Sequence, residues 1–198
     1  MAKIKLTKNE LKKQKDSLKM YQRYLPTLML KKQQLQAEIR NTELRIRELM
    51  REKEQFDESF KIWLGVFGEK GVFTQDILKI TRVRTAFGNI AGVSIPLFQG
   101  ADFEVFSYDL AWTPLWLDAA VVKMKQVLLI DIEVKTLEEQ KQRLDHELRV
   151  TTQRVNLFEK IKIPETKNHI KKIQVYLGDQ QTASVVRGKI AKRGMEAK

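Results

Sequence analysis

The feature that most constrains this chain is a pair of glycine-free stretches in which apolar residues recur at alternating three- and four-residue spacing. The first stretch covers residues 1–61, and the second runs from residue 118 to residue 177. A period of 3.5 residues places such side chains on one stripe of an α-helix and is typical of a left-handed coiled coil. The predicted seam residues are Leu28, Leu35, Ile39, Ile46, Leu49, Val134, Leu137, Leu144, Leu148 and Val155.

The segment between these two arms, residues 62–117, has a different composition. It holds six of the nine Gly and ten of the sixteen aromatic residues, including all three Trp. Aromatic side chains bury a large area and Gly permits tight turns, so we expect a small packed knob. A compact connection lets the second arm fold back antiparallel to the first. Paired residue numbers should then sum to about 180, which places Leu35 near Leu144 and Ile46 near Val134.

Within the knob, residues 77–83 and 90–98 are rich in β-branched and apolar residues and are separated by residues 84–89. This pattern predicts a β-hairpin, in which Pro96 would suit an edge strand. The sequence pattern does not distinguish between helix and irregular structure for residues 101–117.

The predicted fold is therefore mainly α, a long antiparallel two-helix coiled coil with a small Gly- and aromatic-rich knob that contains a β-hairpin. Its segments are an N-terminal arm (1–61), the knob (62–117) and a C-terminal arm with a basic tail (118–198). Pro26 and Pro164 each remove a backbone donor, so we expect a kink or a break in the helix at both positions, with the C-terminal arm kinked at Pro164.

The chain carries a net charge of +12, and the excess lies in the arms. Residues 1–61 carry 16 Lys and Arg against 9 Asp and Glu, whereas residues 62–117 carry 4 against 5 and residues 118–198 carry 17 against 11. The basic ends of the two arms should lie together if the arms are antiparallel. Such a charge favours an acidic protein partner, nucleic acid or an anionic surface.

The sequence offers no recognisable catalytic, cofactor or metal site. It contains no Cys, and the Gly65, Gly68 and Gly71 spacing matches neither a dinucleotide fingerprint nor a P-loop. The two histidines, His146 and His169, have no partners at ligand spacing. No apolar stretch approaches the roughly 18 residues that a membrane span needs. We therefore expect a non-enzymatic cytoplasmic protein without cofactor, metal or membrane insertion.

Four short motifs are spread over nearly the whole chain. They are L-T-K-N-E-L at residues 6–11, L-K-K at 30–32, N-I-A-G-V-S-I-P at 89–96, and R-V-N-L-F-E at 154–159 followed by I-P at 163–164 and isoleucines at 170 and 173. In sequence and in order these motifs resemble those of a known family, the central-rotor D subunits of V/A-type rotary ATPases.

This resemblance implies a shaft that turns inside a ring of catalytic and regulatory nucleotide-binding subunits. It also implies a small central-stalk partner on the coil and a funnel-like subunit that leads to the membrane rotor, on the cytoplasmic face. The knob residues that the resemblance singles out are Asn89, Gly92, Val93 and Pro96. The residues expected to contact the ring are Arg154, Asn156, Glu159, Arg187, Lys189, Lys192 and Arg193.

Two other functions fit parts of the pattern. A prefoldin-like holdase also joins two coiled-coil arms through β-structure, but it predicts apolar arm tips where this chain has clustered Lys and Arg. A basic coiled coil that binds nucleic acid predicts aromatic residues interleaved with the basic ones. In this chain the aromatic residues are concentrated in the knob.

Overall fold

The computed structural model describes residues 4–61, 78–105 and 116–196. Helix α1 spans Lys8–Lys61, strand β1 spans Leu78–Ile90 and strand β2 spans Val93–Val105. Helix α2 spans Trp116–Asn156, a π-helical segment spans Leu157–Lys162 and helix α3 spans Ile163–Glu196. The predicted fold class is confirmed, because the chain is mainly helical with one small antiparallel hairpin.

The chain divides into two compact units, which are described separately. The first unit contains Met1–Lys32 and Val150–Lys198, and the second contains Gln33–Arg149. The sequence-based division at residues 61 and 118 remains a prediction. Helix α1 ends at Lys61 and α2 begins at Trp116, but residues 62–77 and 106–115, with three of the six glycines and six of the ten aromatic residues of the predicted knob, lie outside the described residues.

In the second unit, α1 and α2 run antiparallel and share a core with the hairpin. Leu35, Ile39 and Leu144 are buried together with Ile95 of β2. Each fully buried aliphatic side chain stabilises the fold by about 1.5–3 kcal/mol before ordering entropy is subtracted. A second small cluster joins Leu117 and Val121 of α2 to residues at the far end of the hairpin, which are Leu78 and Val105.

The hairpin is longer than predicted, and its turn lies elsewhere. Residues 84–89, predicted as the loop, belong to β1, and the chain reverses at Ala91 and Gly92, where Ile90 pairs with Val93. Both turn residues have positive φ, 50° and 81°, as a two-residue type I′ turn requires. The Asn89 side chain accepts a hydrogen bond from the Gly92 N–H at 2.9 Å. Residues 101–105, left unassigned by the sequence, continue β2.

The first unit is also held by apolar contacts between antiparallel helices. The Tyr21 ring of α1 lies 5.1 Å from the Phe158 ring, measured between centroids. Val155 and Ile173 are buried, as are the hydroxyl-bearing Thr151 and Thr166. Helix α1 starts with a cap, since Thr7 Oγ1 accepts a hydrogen bond from the Glu10 N–H at 3.3 Å.

Neither proline ends its helix. Pro26 lies inside α1, which remains α-helical from Lys8 to Lys61. Before Pro164 the chain adopts the π-helical segment, in which the Ile163 N–H bonds to the Phe158 carbonyl, five residues back. Proline in a regular helix clashes with the carbonyl four residues earlier, so a widened turn accommodates Pro164 without interrupting the helix.

The π-helical segment also moves the buried stripe by one residue. Continuing the spacing of Thr151, Val155 and Phe158 in regular α-helix would bury residues 162, 165, 169, 172 and 176. The structure instead places Thr166, Ile170, Ile173 and Leu177 on the buried or half-buried side, each one residue later. A π turn accommodates one extra residue. The segment therefore keeps the apolar residues before it, Val155 and Phe158, on the same face as those after it, Ile170 and Ile173.

Candidate functional site

The ten predicted seam residues all lie on the protected side of their helices. Leu35, Ile39, Leu49, Leu144 and Val155 are buried. The remaining five are half-buried, and they are Leu28, Ile46, Val134, Leu137 and Leu148.

Polar residues at the seam fix how α1 and α2 are aligned in the second unit. Lys53 Nζ lies 2.6 Å from Asp131 Oδ1, and Lys141 Nζ lies 2.8 Å from Glu43 Oε1. The hydrogen bond from Lys141 lowers the pKa of Glu43 from its ordinary value, and the hydrogen bond to Asp131 raises the pKa of Lys53. Lys53 and Lys141 each follow a seam residue, Leu49 and Leu137, by four positions and so lie on the same helix face. Each reaches a carboxylate of the opposite helix, so sliding one helix by a turn would break the pairs.

A third cross-helix pair was not anticipated from the sequence. Arg45 donates from both Nε and Nη2 to Glu133 Oε1, at 3.2 and 3.0 Å. The hydrogen bond to Glu133 raises the pKa of Arg45. Both residues flank the apolar stripe of their helices. Opposite charges at flanking positions that face each other in the antiparallel pair are the sequence signal that could have predicted this ion pair.

The knob residues predicted from the resemblance lie at the hairpin turn and on the strand that follows it. Gly92 is a turn residue, and the Asn89 side chain at the end of β1 accepts a hydrogen bond from its N–H. Val93 packs against the core, and Pro96 is buried. The Gln140 side chain of α2 donates a hydrogen bond to the Pro96 carbonyl, and Arg143 Nη1 donates to the Ser94 carbonyl at 3.2 Å. The sequence analysis did not identify Gln140 and Arg143, whose hydrogen bonds hold β2 against α2.

The residues predicted to contact the ring are all exposed in the first unit. Arg154 and Asn156 precede the π-helical segment, and Glu159 lies within it. The other four lie in the C-terminal half of α3, where every residue from Gly178 to Met195 is exposed; they are Arg187, Lys189, Lys192 and Arg193.

The same unit contains a cleft that the sequence did not reveal. It has a volume of about 830 Å³ and is lined by the start of α1, the π-helical segment and the start of α3. Four lysines line it, which are Lys5, Lys13, Lys160 and Lys172. Clustered lysines were visible in the sequence, but which of them share a cleft depends on the helix pairing.

Within residues 4–61, 78–105 and 116–196, no three His, Asp or Glu side chains are placed to hold a metal ion. No described helix is long and apolar enough to cross a membrane. The prominent features are helix pairing, a docked hairpin and charged surfaces, which define a coiled-coil protein of the antiparallel, hairpin-bearing class.

Comparison with known proteins identifies the family. The model of the family described as the D subunit of ATP synthase matches residues 10–193. The V-type ATP synthase D subunit of Borreliella burgdorferi is 51% identical over 195 residues, covering 98% of this chain and 96% of that protein. Those of Chlamydia muridarum and Chlamydia abortus are 36% and 33% identical, with 98% of this chain covered in both cases and 96% and 94% of the respective relatives.

The chain belongs to the family of ATP synthase D subunits and is a central-stalk subunit of a rotary ATPase, part of a multi-subunit complex. The resemblance drawn from the four motifs is thereby confirmed. Nothing in the comparisons favours the holdase or the nucleic-acid-binding alternative.

Proposed function

We propose that this chain is a non-catalytic rotor that turns inside a ring of alternating catalytic and regulatory nucleotide-binding subunits. It carries a small central-stalk partner on its coil and passes rotation to a funnel-like subunit on the cytoplasmic face of the membrane. The chain itself binds no nucleotide, cofactor, metal or specific nucleic acid. Its rotation presents a different surface to each catalytic site in turn, which couples ATP hydrolysis or synthesis to ion movement.

The observation that best supports this role is the alignment of α1 with α2 in the second unit. A rotor transmits torque only if its helices turn together and do not slide past each other. Two kinds of contact resist sliding, the buried packing of Leu35 against Leu144 and the three cross-helix ion pairs. The ion pairs are partly exposed and therefore screened by solvent, so they add little to stability and serve mainly to fix the alignment.

The exposed cations of the first unit support the predicted ring contact. A rotor must meet successive stator surfaces without binding any of them in one fixed geometry. Exposed Lys and Arg side chains suit that requirement, because their attraction to carboxylates is long-ranged and tolerates many geometries. The cations proposed to contact the ring on this ground are Arg154, Arg187, Lys189, Lys192 and Arg193. Asn156 and Glu159, which are exposed near Arg154, are proposed to contact it from the family resemblance alone.

Single-molecule rotation tests the proposal directly. The chain contains no Cys, so Lys79→Cys on the exposed surface of β1 provides one attachment point for a bead. In a complex reconstituted from ring subunits and this chain, and anchored through the ring, we expect the bead to turn in one direction when ATP is added. The control carries the bead on one of the ring proteins and should not turn.

Two results would contradict the proposal. One is a ring that hydrolyses ATP at full rate in the complex while the bead on the chain stays still. The other is a chain that fails to co-purify with the ring. ATP hydrolysis by the isolated chain would contradict the non-catalytic role alone.

A further inference from the structure

The cleft of the first unit combines an apolar floor with a basic rim. Ile4, Ile161 and Pro164 contribute apolar surface, and Ile161 is 54% exposed. Lysines approach from three elements, with Lys13 on α1, Lys160 in the π-helical segment and Lys172 on α3. The π-helical segment contributes to both the floor and the rim, since it carries Ile161 beside Lys160.

The rim carries a net positive charge, because four lysines line the cleft against two carboxylates, Glu10 and Glu165. The four lysines of the cleft have no carboxylate within salt-bridge distance in the described part of the chain. Of the two carboxylates of the cleft, Glu10 accepts a hydrogen bond from Gln14 at 2.8 Å, and Glu165 lies 3.4 Å from Lys162, which does not line the cleft. Lysines gathered around an exposed apolar floor create a surface that attracts an amphipathic anion.

We propose that this cleft binds an acidic loop of the ring, with an apolar side chain of that loop resting on Ile161 and Pro164 and its carboxylates facing the lysines. The inference rests on the proposed rotor function, because it names the chemistry of the segment that the rotor meets.

The openness of the cleft favours a peptide segment over a small molecule. None of its twelve lining residues is buried, and eight of them are exposed. Small-molecule sites usually enclose most of the ligand and present a few fixed polar groups. An extended acidic segment, in contrast, gains from several solvated charge pairs and one apolar anchor, and it can leave again as the rotor turns.

A matched pair of triple variants tests the assignment. The first replaces lysines of the cleft, Lys13→Gln, Lys160→Gln and Lys172→Gln. The second replaces lysines of α1 that do not line the cleft, Lys12→Gln, Lys15→Gln and Lys19→Gln. All six are exposed, so both variants should fold, and each removes three charges from the first unit.

The measurement is the affinity of the full-length chain for the reconstituted ring at several salt concentrations. The cleft variant should bind about tenfold more weakly and show a shallower salt dependence, whereas the control variant should lose much less. Equal losses in both variants would overturn the cleft assignment and leave the rotor function intact. Failure of the unaltered chain to bind the ring would instead overturn the proposed function.

Photo-crosslinking identifies the bound segment. A photoreactive amino acid in place of Ile161 should crosslink to a peptide of the ring that contains several Asp or Glu residues. Tyr24 is a matched control site, since it is 53% exposed and does not line the cleft. A crosslinked peptide without carboxylates, or one from a protein outside the ring, would overturn the proposal.

Discussion

Deleting one residue from the π-helical segment should be tolerated if Pro164 is replaced as well. Removing Glu159 from Leu157–Lys162 takes out the extra residue that the wide turn accommodates. The chain can then form regular α-helix through this region, with Thr166 and Ile173 still on the buried face. Glu159 is exposed, so little side-chain packing is lost.

Pro164 determines the size of the effect. In the deletion alone, Pro164 would lie within regular α-helix, where its ring clashes with a carbonyl and costs about 3 kcal/mol. The double variant, with Pro164→Ala, removes this clash and should return the free energy of unfolding to within about 1 kcal/mol of the unaltered chain. Pro164→Ala by itself should change little, because the extra residue still has to be accommodated.

Deletion of Lys171 in regular α3 is the matched control. It rotates everything downstream by about 100° and turns Ile173, which is fully buried, away from its contacts. Together with Pro164→Ala, this deletion should cost about 2–5 kcal/mol, comparable to emptying a buried Ile site. Urea unfolding followed by circular dichroism gives all four values. Equal destabilisation by the two deletions would refute the idea that the π turn carries one inserted residue.

Three further changes test the second unit, the first and third of them by the same unfolding assay. Leu144→Ala should cost about 2–5 kcal/mol, and a loss below about 1 kcal/mol would mean that the shared core of helices and hairpin is not formed. Ala91→Asn should stabilise the hairpin by about 1 kcal/mol, because Asn tolerates positive φ better than Ala does; slower hydrogen exchange of β1 and β2 amides would report it, and faster exchange would contradict the type I′ turn. Lys141→Gln should reduce stability more at neutral pH than in acid. Lys141 lowers the pKa of Glu43 in the folded state, so the pair stabilises fully above the ordinary pKa of Glu, and its contribution is lost as the pH falls through the lowered value. A loss that does not change with pH would assign the effect to packing.

The helices and their pairing could be predicted because periodicity and antiparallel geometry are properties of the sequence alone. Tyr21 meets Phe158, and Lys53 meets Asp131, close to the expected numerical pairing. The hairpin was predicted correctly as an element, but its turn was misplaced because Gly88 was interpreted as part of a loop. A Cβ at Gly88 would lie 2.9 Å from Leu97 Cδ1, so this glycine serves a close side-chain approach within the sheet.

The expected kink or break at Pro164 rests on the rule that proline clashes with a carbonyl of a regular α-helix. The structure avoids this clash with a π turn, and the helix continues. The signal for a π turn was present in the spacing, since Ile170 and Ile173 are one residue out of phase with Val155 and Phe158. A broken helix would leave that offset without a cause, whereas one inserted residue explains both the offset and the tolerance of proline. The π-helical segment also contains Lys160 and Ile161, which line the cleft. The turn that accommodates Pro164 therefore also shapes the surface that is proposed to contact the ring.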